Sequence, residues 1–271
     1  MFLSRREMLG VLGASAVAFR NAAAADAPLR FTALDHVEFL VSDVEKSAAF
    51  YARVFGNTVL KNNKTTRRYV KIGASYLAMD KGDVHVDHFC AGIPGFDVAS
   101  VHASLNAKGV AYRDFPSGKD LAVPDPDGIR LQLATDNGWA QLLTGTASPE
   151  TIAIGGEPIF RPTGIDHILL NVADPEKSAV FYEKILGPVT QRNNNRIWFQ
   201  AGTGRIGLSK TPAGAKAGVN HYCVSVEKFD YDAVVKKLQQ AGIPLDPPEI
   251  AGSPDLRDPD GYRMQVMSPR A

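Results

Sequence analysis

Hydrophobic and polar residues alternate along two stretches of the chain, and each stretch leads into a helix-like pattern. In DHVEFLVSD the polar His36 and Glu38 share one face of an extended chain, while Val37 and Phe39 share the other. This period of two predicts a half-buried strand. Asp43 follows as a candidate N-cap of an amphipathic helix, and three short strand-like runs come after it. The pattern therefore predicts a β-α-β-β-β unit.

This unit is repeated in the second half of the chain. LDHVEFLVSDVEKSAAFYARVFG, from Leu34 to Gly56, matches IDHILLNVADPEKSAVFYEKILG, 131 residues later, at 11 of 23 positions, and Asp174 is the second candidate N-cap. A second pair of segments, VDHFCAGIPGFD and VNHYCVSVEKFD, also matches, and their histidines, His88 and His221, each stand 37 residues before a DPDG turn. The recurrence predicts four βαβββ modules in two pairs.

Two domains follow from this duplication, at residues 30–137 and 162–269, joined by a linker at 138–161. Each is long enough to bury its own core. With 30 basic and 29 acidic residues and a pI near 7.8, the chain has no field of one sign to hold a nucleic acid, and none is expected as a partner. Four modules already form two pairs, so a monomer and a homodimer both stay open.

The first 25 residues differ from the rest of the chain. The run SRREML is followed by a short apolar stretch and then by small residues in NAAAADAP. A charged start, about a dozen apolar residues and a small-residue cleavage region are typical of a signal peptide, too short to span a bilayer. The twin arginines, Arg5 and Arg6, resemble those of the twin-arginine export signal. We therefore expect a periplasmic or secreted protein that has no membrane segment after cleavage.

The strand, helix and turn motifs together resemble those of the vicinal oxygen chelate superfamily, which includes glyoxalases, bleomycin-resistance proteins and extradiol dioxygenases. The motifs are D-H-V/I at strand starts, D-x-E-K-S-x-x-F-Y on the helix and D-P-D-G before the last strand, and they cover nearly all of the chain after residue 25. The resemblance implies an α+β fold, in which four βαβββ modules pair into two cup-shaped half-barrel domains. It does not specify the reaction, because this fold carries many activities.

The same resemblance implies positions for metal ligands. In the first domain these positions hold His36, His88 and Gln132. Two imidazoles and one oxygen can bind a divalent ion and leave positions open for a substrate. The second domain offers an equivalent second candidate site, formed by His167, His221 and Gln265.

Both candidate sites carry a glutamine where the superfamily usually has a glutamate. A neutral amide leaves the charge of a metal ion uncompensated, which lowers the expected affinity. Glu38 shares a strand face with His36 and could restore a negative charge or act as a general base. Its counterpart in the second domain is Leu169. The cofactor expected is thus a divalent ion, with Fe, Mn, Zn and Ni not distinguished, or no metal at all.

Further side chains could contact a small-molecule substrate. Arginines at strand ends could hold a carboxylate or enolate by a forked hydrogen bond, and Arg68 aligns with Arg196 at the start of each third strand. Cys90, two residues after a candidate ligand, could face the same cup. The candidates are Arg68, Arg130, Cys90, Arg196, Tyr222 and Arg263. The run of basic residues from Lys61 to Lys71, which includes Arg67, is otherwise predicted to be a solvent-exposed hairpin.

Two hypotheses of function follow. The first is an exported metal-dependent enzyme similar to extradiol dioxygenases or glyoxalases, acting on a small aromatic or dicarbonyl substrate chelated through adjacent oxygens. It could be a dioxygenase-like oxidoreductase, or an isomerase or lyase with Glu38 as the catalytic base. The alternative is a metal-free protein of the bleomycin-resistance type that binds or sequesters a small molecule.

Overall fold

The computed structural model describes residues 28–56, 58–193 and 195–270. The predicted signal peptide at residues 1–25 lies outside these ranges. Among the described residues, no helix is both long and apolar enough to cross a membrane.

The chain has the predicted α+β class, with two mixed sheets and five helices in the described part. Strands of the first half are β1 (Ala33–Val41), β2 (Val59–Asn62), β3 (Arg68–Ile72), β4 (Ser75–Lys81), β5 (His85–Ile93), β6 (Arg113–Asp114), β7 (Leu121–Pro124), β8 (Arg130–Thr135) and β9 (Ala147–Glu150). Its helices are α1 (Val44–Phe55), α2 (Val98–Ala107) and the short α3 (Gly138–Gln141).

The second half repeats this order after the linker. Its strands are β10 (Pro162–Val172), β11 (Gln191–Asn193), β12 (Arg196–Ala201), β13 (Gly204–Lys210), β14 (Gly218–Val226), β15 (Leu245–Ile250), β16 (Ser253–Arg257) and β17 (Arg263–Met267). Its helices are α4 (Pro175–Leu186) and α5 (Tyr231–Gln240).

Sheet topology explains why two modules make one cup. The strand orders are β6-β7-β8-β5-β1-β4-β3-β2-β9 and β11-β12-β13-β10-β14-β17-β16-β15. In both sheets the first strands of two consecutive modules lie side by side and antiparallel at the centre, as β1 with β5 and β10 with β14. The strand starts that carry the D-H and N-H motifs are therefore neighbours.

The helices are positioned by the caps that the sequence predicts. Asp43 accepts a hydrogen bond from the Lys46 amide at the start of α1, and Asp174 does the same for α4. Both helices cover the face of their sheet that carries Val37 and its equivalents, and this face forms a core shared by the two halves. The opposite face carries the histidines.

A separate apolar cluster lies on the histidine face of the first sheet. It contains Leu60, Tyr69, Tyr76, Ala78 and Ala147, with Trp139 and Leu142 packed against it. The last three residues belong to the segment predicted as a linker, which forms α3 and adds β9 to the sheet edge beside β2. The linker thus contributes to the first cup.

The F-Y and DPDG motifs hold the two halves together. Tyr51 on α1 donates a hydrogen bond to Asp258 at 2.8 Å, and Tyr182 on α4 donates one to Asp125 at 3.2 Å. Burial raises the pKa of both carboxyls, although these hydrogen bonds oppose the shift. Two motifs that predict only a helix and a turn therefore also form a reciprocal contact between the halves.

Close backbone contacts reinforce this contact. Gly73, in the turn before β4, has φ of +62°, and Gly202, before β13, has φ of +63°. The amide after each glycine donates to a carbonyl at the edge of the other half, Thr163 at 3.1 Å and Thr32 at 2.9 Å. No side chain fits between these backbones.

Candidate metal centre

Each candidate histidine follows a residue that forms a β-bulge. In the β1–β5 ladder Leu34 pairs with Ala91 and His36 with Cys90, so Asp35 is an extra residue; Asp87 is skipped in the same way beside His88. The second half repeats this at Asp166 and Asn220. A bulge re-aims side chains, which allows the bulged residue and the histidine after it to contact each other.

The bulged residues orient the imidazole rings. His36 Nδ1 is 2.8 Å from the Asp35 carboxylate, and His88 Nδ1 is 2.7 Å from that of Asp87. Since a carboxylate only accepts, each Nδ1 carries a proton, and Nε2 of the neutral ring presents a lone pair. Burial acts to raise the pKa of the Asp87 carboxyl, but the hydrogen bond from His88, with help from Arg130, outweighs burial and lowers this pKa.

Three acceptor atoms converge in the first cup, which we call cup one. His36 Nε2 lies 3.3 Å from His88 Nε2 and 2.9 Å from Gln132 Oε1. The amide nitrogen of Gln132 donates to Asp120 at 3.0 Å, so the amide oxygen faces the rings. All three side chains are more than nine-tenths buried.

This donor set fits a divalent cation. With neutral rings no proton lies among the three lone pairs, and a proton on one ring would satisfy only one contact. Nitrogens bound to one ion at about 2.0–2.1 Å lie about 3.0 Å apart at right angles and about 3.4 Å apart at the tetrahedral angle. The observed 3.3 Å between the two Nε2 atoms falls in that interval. The backing by Asp35, Asp87 and Asp120 is the support that metal ligands usually have.

Glu38 lies beside these ligands. One carboxylate oxygen is 3.8 Å from His88 Nε2, and the other pairs with Arg67 at 2.7 Å. Arg67 also pairs with Asp80 at 2.9 Å. Arg67 is therefore part of the cup, which corrects its prediction as one residue of a solvated hairpin. The missed indication was the alternation in RRYVKI, where Arg67, Tyr69 and Lys71 share one face of the strand and Val70 and Ile72 share the other.

The second cup, cup two, repeats the histidine pair with weaker support. His167 Nε2 and His221 Nε2 are 3.1 Å apart, and their Nδ1 atoms contact Asp166 and the neutral Asn220. Gln265 reaches Asp255 only at 3.4 Å. Burial lowers the pKa of His221 well below its ordinary value, and nearby positive groups add to the effect. Burial also lowers the pKa of His167.

Comparison with known proteins identifies the family of the chain. The profile of the Glyoxalase/Bleomycin resistance protein/Dioxygenase superfamily matches residues 33–94 and 164–266. The chain belongs to this superfamily. A lactoylglutathione lyase of Schizosaccharomyces pombe is 22% identical over 305 residues of alignment, covering 86% of this chain and 95% of the relative.

Solved structures of the superfamily share the fold. The 2,3-dioxygenase LapB from Pseudomonas sp. KL28 superposes with a TM-score of 0.67 at 17% identity, over 89% of this chain and 93% of the other. The Mn(II)-bound glyoxalase from Novosphingobium aromaticivorans gives a TM-score of 0.65 at 18% identity, over 88% and 82%. At such identities the likeness establishes the architecture alone.

Strand register in this superfamily member separates two arginines that the sequence aligned. Arg68 pairs with Met79 in β4, whereas Arg196 pairs with Ser209 in β13. Because His36 lies opposite Tyr76 and His167 opposite Arg205, the structural equivalent of Arg196 is Arg67. A shift of one residue reverses the face of a strand.

The structure accordingly places Arg68 outside cup one. Its side chain is 2% exposed and lies on the helix side of the sheet. It pairs with Glu45 on α1 at 2.6 Å and with Glu150 on β9. A substrate in the cup cannot reach it, which contradicts its prediction as a substrate contact.

Tyr222 also lies away from the cups. It follows His221 directly, so it points to the opposite face, where its hydroxyl donates to Tyr51 at 3.2 Å and its ring lies 5.3 Å from Phe39. It is a residue of the shared core, 1% exposed. The prediction of a substrate contact is wrong here, because neighbouring side chains of a strand point to opposite faces and His221 already faces the cup.

The remaining predicted contacts lie on the histidine faces. Cys90 is buried beside His36, and burial raises the pKa of its thiol well above the ordinary value. Cys90 and Cys223 are both free. Arg130 pairs with Asp87 at the rim of cup one. In cup two Arg196 pairs with Glu249, and Arg263 pairs with Glu249 and Asp255.

Proposed function

We propose that this chain is a metal-dependent enzyme whose centre lies in cup one. The observation that carries the proposal is the convergence of three potential ligand atoms: His88 Nε2 lies 3.3 Å and Gln132 Oε1 lies 2.9 Å from His36 Nε2. These three side chains would hold a divalent ion, with Glu38 beside it as a further oxygen. Such an ion polarises a substrate oxygen as a Lewis acid.

The charge of the cup supports a bound cation. Of the described residues on or beside this face, the acidic side chains outnumber the basic ones. They are Asp35, Glu38, Asp80, Asp87 and Asp120 against Arg67, Lys71, Arg113 and Arg130. Glu38 thus offsets the missing charge of Gln132, and a dipositive ion would be drawn here rather than repelled.

Glu38 is the group we assign to proton transfer. Arg67 holds one of its oxygens at 2.7 Å and leaves the other 3.8 Å from His88 Nε2, on the side of the converging ligands. A carboxylate in that place can accept a proton from a carbon next to a polarised carbonyl. The reaction class supported best is therefore an isomerase or lyase reaction, and the likeness to the lactoylglutathione lyase supports it further. A dioxygenase reaction is the second candidate within this proposal.

The lining of the cup supports a small substrate with adjacent oxygens and an apolar or aromatic part. Tyr76 stacks on His36 with ring centroids 4.6 Å apart, and Trp139 lies 5.8 Å from Tyr76. A cavity of about 510 Å³ borders one of the three proposed ligands, His88, and is also lined by Arg130 and by residues of the other half that include Lys216.

Metal binding by the native protein is the decisive test. We expect about one divalent ion per chain after loading with Fe, Mn, Zn or Ni, removable by a chelator and measured by elemental analysis. Metal binding in cup one should also change the fluorescence of Trp139. A Trp198→Phe variant isolates this signal, because Trp139 is then the one tryptophan left in the chain. If no metal binds under any loading condition, the enzyme proposal fails, and the neutral Gln132 would then favour the small-molecule binding protein.

We also propose that the chain is exported before it acts, on the basis of the SRREML run and the apolar stretch after it. Expression in a bacterium with a twin-arginine pathway should yield a periplasmic product whose mass lacks about the first 25 residues. Replacement of Arg5 and Arg6 by lysine should retain the full-length chain in the cytoplasm. Recovery of an uncleaved wild-type chain in the cytoplasm would contradict this.

A further inference from the structure

Cup two carries a different charge from cup one. Its described arginines outnumber the acidic groups that face them. The arginines are Arg196, Arg205, Arg263 and Arg270, and the acidic residues are Asp166, Glu249 and Asp255. Leu169 stands where cup one has Glu38, so no carboxylate compensates this excess.

Three of these arginines have short ion pairs. Arg196 contacts Glu249, Arg263 lies 2.6 Å from Glu249 and 2.8 Å from Asp255, and Arg270 takes both oxygens of Asp166. The remaining one, Arg205, reaches Asp166 only at 3.9 Å. Its Nε is buried and has no hydrogen-bond partner among the described residues. A buried donor without an acceptor calls for a partner, and a bound anion would supply one.

The Arg205 guanidinium lies on a built platform. Its central carbon is 4.6 Å from the ring centroid of Trp198. The indole itself donates a hydrogen bond to Asn193 at 3.0 Å and packs against Gly207, where a Cβ would come within 2.6 Å of the ring. Trp198 also meets the edge of His167 at 5.3 Å. The platform places a cationic fork next to the histidine pair.

The register shows that this fork replaces an aromatic ring. Arg205 pairs with His167 across the strands, just as Tyr76 pairs with His36 in cup one. Tyr76 stacks on its histidine, whereas Arg205 adds a positive charge there. The two cups thus share a scaffold but present opposite charges to a ligand.

We propose that cup two is an anion site and that its ligand is a small carboxylate, held by the Arg205 guanidinium beside His167. The planar fork of an arginine matches the two oxygens of a carboxylate. Trp198 and Leu169 supply apolar contacts for the part of the ligand behind its carboxylate. This site is distinct from the metal centre proposed for cup one and does not depend on it.

The two tryptophans of the chain allow each cup to be tested separately, because Trp139 reports cup one and Trp198 reports cup two. In a Trp139→Phe variant, titration with acetate at constant ionic strength should change the Trp198 fluorescence saturably. Arg205→Gln should lower the affinity by about 10- to 100-fold, the loss expected for a hydrogen bond to a charged group. Arg205→Lys, which keeps the charge without the fork, should fall between the two.

Arg192→Gln is the matched control, because it removes the same charge from an exposed ion pair with Glu176. It should leave acetate binding unchanged. The proposal is overturned if the fluorescence change does not saturate, if Arg205→Gln binds acetate as the parent does, or if inorganic phosphate binds more tightly than acetate. Quenching of Trp198 by stoichiometric Co²⁺ would also overturn it, because cup two would then be a metal site.

Discussion

Replacing His36 with alanine should remove the metal ion from the chain. We expect the metal affinity to fall by more than about 100-fold, since changes in the support of metal ligands alone cost about 10- to 100-fold. His36 Nε2 is the atom that lies within 3.3 Å of both other candidate donors. Elemental analysis after gel filtration in metal-free buffer should show the bound metal fall from about one ion per chain to a trace.

His167→Ala is the matched variant, since His167 has the same strand position, bulge and backing carboxylate in cup two. It should leave the metal content at the wild-type value. Circular dichroism should show that both variants are folded. Metal that persists in His36→Ala and disappears in His167→Ala would place the centre in cup two, and metal lost from neither would exclude both histidine pairs.

Replacing Gly73 with alanine should destabilise the contact between the two halves by about 2–4 kcal/mol. A Cβ at this position would lie 2.1 Å from the Thr163 carbonyl carbon, which is backbone and cannot turn aside. Overpacking costs about 1–3 kcal/mol and the positive φ about 1 kcal/mol more. The free energy of unfolding in urea is the measurement.

Gly109→Ala separates these two contributions. Gly109 has φ of +60° but meets nothing within 4 Å, so the variant should lose only about 1 kcal/mol. Gly202→Ala should resemble Gly73→Ala, because its Cβ would lie 2.0 Å from the Thr32 carbonyl oxygen. Equal losses at Gly73 and Gly109 would show that the close approach is not as tight as described.

Much of the architecture could be predicted from local patterns. The alternation around His36 and the caps at Asp43 and Asp174 led to the observed strands and helices. The repeated 37-residue spacing between histidine and DPDG led to the paired modules. These features depend on periods of two and 3.6 residues and on cap chemistry, which act over a few residues and can be read without a partner.

The candidate site was predictable in part for a different reason. The ligand positions came from a resemblance between motifs, and the structure brings both His88 and Gln132 within hydrogen-bond distance of His36. The roles of Asp35 and Asp87 were not predicted, although D-H is visible in the sequence. Strict alternation would direct an aspartate away from the histidine that follows it, and only a bulge places both on one face.

By itself, the sequence determined the class of fold, the module repeat and the residue types available for a metal. Tertiary structure decided which side chains face the cups. In the structure Arg67, and not Arg68, faces cup one. Tyr222 lies in the shared core, and Arg205 lies beside His167. The physical reason is that register and bulges arise from pairing with distant strands, and a displacement of one residue exchanges the two faces of a strand. The opposite charges of the two cups follow from those distant pairings.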